Sequence, residues 1–225
     1  MSLTRPAPTI PVEQRLRMVE VYASIQGEST WAGLPCVFVR LAGCNLRCTW
    51  CDSAFTFTGG EHRSIDAVVA EASAFGIPLV EVTGGEPLVQ RQAIPLMQGL
   101  LDRGHEVLLE TSGSRPIAPV PSAVHIIMDL KPPDSGEERA NRYEDLALLR
   151  EKDNLKLVLA SRGDYDWARG ILARYPLPGV PVLMSPVWGR LDPSELAAWI
   201  VADRLPVRMQ LQMHKSIWPP EARGV

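Results

Sequence analysis

Phe38-Val-Arg-Leu-Ala-Gly-Cys44-Asn-Leu-Arg-Cys48-Thr-Trp-Cys51-Asp52 is the stretch on which the reading of this 225-residue chain turns. Its first part is a short run of β-branched and apolar residues, the pattern of a strand. Its second part places three cysteines directly after that strand, and Gly43 eases the tight turn between the two. Cysteine thiolates are the normal ligands of iron–sulfur clusters. Three ligands from one loop leave one iron of a four-iron cluster without a protein ligand, and an open position marks a metal that does chemistry. Structural zinc asks instead for four ligands, usually in two separated pairs. Cys36 could be a fourth, but Cys36-Val-Phe-Val-Arg-Leu is a strand pattern, in which a buried core cysteine is the expectation. No second Cys-x2-Cys and no His-x3-His accompanies the loop.

Working outward, strand candidates rich in β-branched residues and leucine run near Met18–Ile25, Cys36–Leu41, Leu79–Thr83, Glu106–Glu110, Val124–Leu130, Leu155–Ala160, Val180–Ser185 and Val207–Gln212. Helix candidates lie between them: Ile65 onward behind a Ser64 cap, Ile94–Arg103, Glu138–Glu151, Tyr165–Arg174, and Pro193–Asp203 with Asp192 as cap and Pro193 at the first helical position. This alternation predicts an α/β fold with mostly parallel strands. A closed eight-fold barrel usually takes about 250 residues, and this chain offers about six clear βα units on that measure. The expectation is therefore a shortened or open (β/α) barrel. A doubly wound sheet is the alternative, weakened by the absence of a glycine-rich phosphate fingerprint after the first strand.

Polar residues collect where these strands end. Gly84-Gly-Glu-Pro87, Glu110-Thr-Ser-Gly113, Asp129-Leu-Lys-Pro-Pro133, Ser185-Pro186 and Gln212-Met-His-Lys215 each follow an apolar run. In a parallel barrel all of them face one rim, where such folds carry their chemistry. Each alone reads as a turn or a cap; together with a cysteine loop they predict a site. The glycine pair would let backbone come close to a ligand. Lys156 and Arg40 sit inside apolar strands, so each must reach a strand end or meet an anion. At the rim they would suit a carboxylate, with the guanidinium able to engage it bidentately.

Hydrophobic residues make up 46% of the chain and charged residues 22%, the balance of a globular protein with a real core. A net charge of −3 gives no global argument for a nucleic-acid or membrane partner. No apolar run approaches the ~18 residues of a membrane span, and the start has no signal-peptide pattern. The expectation is a cytoplasmic protein with reduced thiols, organised as a tail over residues 1–17 and one domain over 18–225.

Cys44-x3-Cys48-x2-Cys51, with Trp50 before the third cysteine, resembles the cluster motif of radical S-adenosylmethionine enzymes. Gly84-Gly-Glu-Pro87 resembles that superfamily's motif for the methionine part of the cofactor. Ser24-Ile-Gln-Gly-Glu-Ser29, Phe38 to Cys48 and Cys51-Asp-Ser53 are similar to the 7-carboxy-7-deazaguanine synthase family, as are the stretches at Glu110, Asp129 and Gln212. The similarity spans most of residues 18 to 218. It implies a homodimer that converts 6-carboxy-5,6,7,8-tetrahydropterin to 7-carboxy-7-deazaguanine with loss of ammonia, in queuosine precursor synthesis. It implies a [4Fe–4S] cluster on Cys44, Cys48 and Cys51, S-adenosylmethionine, and Mg2+ on Ser53. The cofactor would lie along Trp50, Gly85, Asp129, Leu130, Lys131, Ser185, Pro186, Val187 and Trp188. The pterin would meet Ile25, Gln26, Gly27, Arg40 and Thr83, with Arg40 on its carboxylate. A flavodoxin or ferredoxin would supply electrons. The competing expectations are a glycyl-radical-enzyme activase of the same superfamily and a non-catalytic iron–sulfur or zinc module closed by Cys36.

Overall fold

The computed structural model describes residues 10–11, 14–219 and 222–225. Its strands are β1 (Arg15–Ile25), β2 (Pro35–Leu41), β3 (Glu61–Ser64), β4 (Leu79–Gly84), β5 (Glu106–Thr111), β6 (His125–Leu130), β7 (Asn154–Leu159), β8 (Val182–Pro186) and β9 (Arg208–Met209). Its α-helices are α1 (Ile65–Ala74), α2 (Ala93–Asp102), α3 (Arg162–Arg174), α4 (Pro193–Asp203) and the single turn α5 (His214–Ile217). The strands form one sheet in the order β3-β1-β2-β4-β5-β6-β7-β8-β9. From β2 through β9 the neighbours along that order are parallel, while β1 is antiparallel to both β2 and β3. The sheet stays open between β3 and β9, so the expected shortened, open barrel is what the chain forms.

Both faces of the parallel strands are covered, which explains their near-continuous apolar sequences. On the outer face, α1 and α2 pack Val69, Ala72, Leu96 and Leu100 onto Val37, Val39, Val80, Val82 and Leu109. Further along, Tyr165, Ala168, Leu196 and Ile200 from α3 and α4 cover Leu130, Leu155, Leu157 and Met184. The helices start where the sequence places them. The Ser64 side chain accepts from Ala67 N, and the Asp192 carboxylate accepts from Ser194 N. Each such cap is worth about 1 kcal/mol.

The inner face has two layers set by strand register. The lower is apolar: Cys36, Phe38, Leu79, Leu108 and Ile127, with Tyr22 and Trp31 packed on them. The upper, one inward position further along, holds Arg40, Thr83, Glu110, Asp129 and Lys156, while Glu81 stands in the lower layer, paired between Phe38 and Leu108. Pairings such as Arg40 with Thr83 and Asp129 with Lys156 put these side chains on adjacent strands. The β1–β2 connection crosses this face. Thr30 N and Oγ1 donate to Asn154 Oδ1 at 3.0 and 3.1 Å, and the Trp31 ring meets His125 edge-on at 5.0 Å.

Several sequence expectations need correction. Most of the expected tail, residues 1–9, 12 and 13, lies outside the described residues. Strand β1 begins at Arg15 rather than Met18, and Leu16 is fully buried. The polar strand β3 was not foreseen; it pairs Glu61–Ser64 with β1. The expected helix over 138–151 is replaced by short 3-10 turns at Glu138–Ala140 and Tyr143–Leu148. Tertiary hydrogen bonds hold that segment out of an α-helix: Asn141 brackets the backbone of Lys131, Arg142 N donates to Gly113 O, and Asp145 accepts from Ile117 N. The last strand shrinks to Arg208–Met209, with Gln212 already in the approach to α5.

Candidate active site

The cysteine loop leaves β2 at Ala42 and lies across the end of β4. Gly84 and Gly85 make that crossing possible. A Cβ on Gly84 would stand 2.1 Å from Leu41 O, and one on Gly85 would stand 2.4 Å from Gly43 O and 2.7 Å from Cys44 Cβ. The cysteine loop is thus one partner in that close approach, and both glycines also line the cavity beside it. Glu86 N donates to Gly43 O at 3.0 Å and closes the junction. The Glu86 carboxylate, fully buried, accepts from Leu88 N, Thr111 Oγ1, Ser112 N and Ser112 Oγ at 2.5–3.0 Å. It ties the end of β4 to the end of β5. On its other side the loop is held by Thr49, which donates to Ser135 O and Asp134 O, and by Arg190 over the Trp50 ring.

Cys44, Cys48 and Cys51 line a cavity of about 680 Å³ that opens above the charged layer. Burial pushes the Cys44 thiol up and the Cys48 thiol up to about 11, and each is raised further by the nearby Cys51. Lys131 works against both shifts. Thiols raised in this way become thiolate ligands more readily beside compensating cations, which iron supplies. Among the described residues, no three His, Cys, Asp or Glu side chains converge as the ligands of a single metal ion would. Three cysteines from one loop suit an iron–sulfur cluster better than a structural zinc, which asks for four ligands. Cys36 is not among them. It is fully buried in the apolar floor, its thiol donates to Val37 O at 3.6 Å, and burial raises it strongly. It lies four residues, ~13 Å, back along β2 from Arg40, so the closed-site alternative loses its fourth ligand.

Of the residues expected at the site, Ile25, Gln26, Gly27, Arg40, Trp50, Ser53, Thr83, Gly85, Asp129, Lys131, Val187 and Trp188 line the same cavity. Leu130, Ser185 and Pro186 do not. Leu130 and Pro186 are one residue out of phase with the inner face; Leu130 packs into the outer core. Ser185 has the inner parity of Val158 but is buried.

The charged layer is built around Lys156. Its Nζ pairs with Glu28, with Glu110 Oε1 at 2.7 Å and with Asp129 Oδ2 at 3.8 Å. Burial alone would raise Glu110, but Lys156, helped by Lys131 and Thr83 Oγ1, outweighs it and holds the carboxyl at about 2. Lys156 is raised in turn, since its three carboxylates outweigh its burial. It is thus committed to protein carboxylates, not free for a substrate's. Asp129 also pairs with Lys131 at 3.0 Å, while its Oδ1 is buried without a hydrogen-bond partner. That oxygen is an open acceptor for a cationic group. Arg40 donates to Glu20 Oε1 at 2.8 Å and to Tyr22 Oη at 2.7 Å, so a substrate carboxylate would share it with these partners.

Sequence reasoning missed Glu81, Tyr22, Phe55, Asp52 and Arg223, all of which line the cavity. Glu81 had a usable signal: a charged residue inside the apolar strand Leu79-Val-Glu-Val-Thr, on the parity of Thr83. Asp52 pairs with Lys215 at 3.2 Å, which overcomes burial and lowers it. Arg223 covers the Phe55 ring at 4.1 Å.

An open parallel sheet with three cysteines in one loop at its mouth, buttressed by Gly84-Gly-Glu-Pro87, defines a radical S-adenosylmethionine enzyme. The model of the radical SAM superfamily matches residues 38–134. A 7-carboxy-7-deazaguanine synthase from Koribacter versatilis is 44% identical over 226 residues, covering 93% of this chain and 100% of that protein. One from Chlorobaculum tepidum is 46% identical over 217 residues, covering 95% and 99%. The crystal structure of QueE from Escherichia coli shares the fold with a TM-score of 0.74 at 22% identity, covering 89% and 95%. The chain belongs to the 7-carboxy-7-deazaguanine synthase family, and with it to the enzymes that use a [4Fe–4S] cluster and S-adenosylmethionine.

Proposed function

We propose that this chain converts 6-carboxy-5,6,7,8-tetrahydropterin to 7-carboxy-7-deazaguanine with loss of ammonia, a lyase step in queuosine and 7-deazapurine synthesis. The observation that carries the reading is the joining of the cysteine loop, the Glu110–Lys156 layer and Arg40 in one cavity. When bound, the reduced cluster and S-adenosylmethionine supply a carbon-centred radical able to take hydrogen from the substrate. The rest is positioning by this chain. Cys44, Cys48 and Cys51 would hold the cluster, and the open oxygen of Asp129 would accept from the cofactor's ammonium. Trp50, Gly85, Lys131, Val187 and Trp188 would flank the cofactor, with Leu130, Ser185 and Pro186 contributing backbone groups.

Gln26, Gly27, Ile25 and Thr83 would bed the pterin over the apolar floor, with Arg40 at its carboxylate. Ser53 would ligate Mg2+, a hard ion suited to a hydroxyl and substrate oxygens. We further propose a single domain, a homodimer in the cytoplasm, and a flavodoxin or ferredoxin as electron donor. Among the described residues no helix is long and apolar enough to cross a membrane.

The test is anaerobic incubation of the reconstituted enzyme with the carboxypterin, S-adenosylmethionine, Mg2+ and reductant. Formation of 7-carboxy-7-deazaguanine is expected. Cofactor cleavage with the pterin returned unchanged would refute the reading and favour an activase.

A further inference from the structure

Glu81 is a buried acid that none of the roles above uses. It sits on the inner face of β4 between Leu79 of the floor and Thr83 of the rim, is 1% exposed, and lines the cavity. Gln26 Nε2 donates to its Oε2. That amide is fixed at its other end as well, because Gln26 Oε1 accepts from Glu28 N. Gln26 therefore presents a donor to Glu81, and among the described residues no cation forms an ion pair with the acid. Lys156, the cation that acts on it, is shared among Glu28, Glu110 and Asp129. Burial first, and the negative charge of Glu110 second, raise Glu81 well above the ordinary carboxyl range. A carboxyl in such a place keeps its proton and becomes a hydrogen-bond donor. Its neighbour Glu110 is held in the opposite state by Lys156. Two carboxyls whose surroundings drive them apart divide the roles of donor and acceptor between them.

We propose that Glu81 donates a hydrogen bond from the cavity floor to the ring carbonyl of the bound heterocycle, and so helps select a pyrimidinone over rings that lack that acceptor. The inference rests on the reading that a pterin enters this cavity. With Oε2 taken by Gln26, the second carboxyl oxygen carries the proton toward the ligand. The register partners of Glu81, Phe38 and Leu108, and Leu79 one inward position below it, supply no acceptor side chain. A buried donor left without its acceptor loses the whole bond and is poorly rehydrated, so a ligand without the carbonyl is penalised.

The experiment compares equilibrium binding of 6-carboxypterin and of its analogue lacking the 4-oxo group to the anaerobic, cluster-loaded enzyme, by calorimetry. The wild-type enzyme is expected to prefer 6-carboxypterin by about tenfold. Glu81→Leu is expected to bind both alike, and Glu81→Gln, whose amide can both accept from Gln26 and donate to the ligand, to recover most of the preference. Equal affinity of the wild type for the two ligands overturns the proposal without any variant. So does a Glu81→Leu enzyme that discriminates as the wild type does. If the wild type binds neither ligand and makes no product, it is the pterin reading itself that fails.

Discussion

Replacing Gly85 by alanine should empty the cysteine loop of iron while leaving the fold in place. The added Cβ would lie 2.4 Å from Gly43 O and 2.7 Å from Cys44 Cβ. Carbon contacts settle near 3.5–4.0 Å, so the loop must retreat by roughly 1 Å, and the atoms in its way are backbone and a ligand's own Cβ. Overpacking of this kind costs about 1–3 kcal/mol. If that cost falls on the cluster-bound arrangement, cluster affinity drops by about 5- to 150-fold, at tenfold per 1.4 kcal/mol. The melting temperature should fall by only about 2–12 °C, at 2–4 °C per kcal/mol for a chain of this size. The assay is iron and sulfide per chain after anaerobic reconstitution, beside far-ultraviolet circular dichroism and thermal melting. Gly84→Ala is the companion variant. Its Cβ would meet Leu41 O at 2.1 Å from a backbone at φ 143°, so it strikes the β2–β4 pairing and should lower the melting temperature further. A Gly85→Ala enzyme that loads wild-type iron at a wild-type melting temperature would refute the account of why this glycine is there.

Lys156→Met strands Glu28, Glu110 and Asp129 without their shared cation and should cost about 3–5 kcal/mol at neutral pH; urea melts should show the gap narrowing toward pH 5 as the stranded carboxyls take up protons. In the wild type, Glu110 is held at about 2 against an ordinary 4.5, so its contribution to stability is full above about 4.5 and is lost as pH falls toward 2. Cys36→Ala should cost about 1 kcal/mol and keep full iron on reconstitution, whereas Cys48→Ala should lose the cluster; equal loss in both would restore the closed-site reading. Gly170→Ala, in the middle of α3 with nothing within 4 Å of its added Cβ, should raise stability by about 0.5–1 kcal/mol, read as a higher urea midpoint with activity unchanged.

The inner rim was legible because strands have a period of two. Arg40, Thr83, Glu110 and Asp129 each stand near the end of an apolar run and Lys156 inside one, and five polar residues on strands with an apolar background imply one polar layer. What that pattern could not show was which groups neutralise one another. Lys156 read as a site for a foreign carboxylate because Glu28, its partner from the β1–β2 connection, is remote in sequence. Arg40 read as free because its bond to Glu20 depends on the antiparallel register of β1 and β2. Leu130 and Pro186, which the resemblance places along the cofactor, stand one position out of phase with the inner face, and such a shift turns a side chain to the other face. The segment after Glu138 has good helix formers, and only the distant groups at Lys131, Gly113 and Ile117 forbid the helix.

The cavity has two poles, and under the proposed reading each answers to one part of the chemistry. Around Phe55 lie Arg40, held by Glu20, and Arg223. Toward β5, β6 and β7 lie Glu28, Glu110 and Asp129, three carboxylates against Lys156 and Lys131. A substrate with one carboxylate on an N–H-rich ring would align along that axis, its anion toward the arginines and its donors toward Glu110. A cofactor carrying an ammonium would be drawn to the open oxygen of Asp129, which lies near the cysteine loop: Asp129 and Lys131 both act on Cys48. The apolar floor keeps water from the underside of both and strengthens every charge above it. Reversing one pole, by Arg40→Glu, should therefore weaken carboxypterin binding far more than cofactor binding. Equal loss of both would show that the two poles do not act separately.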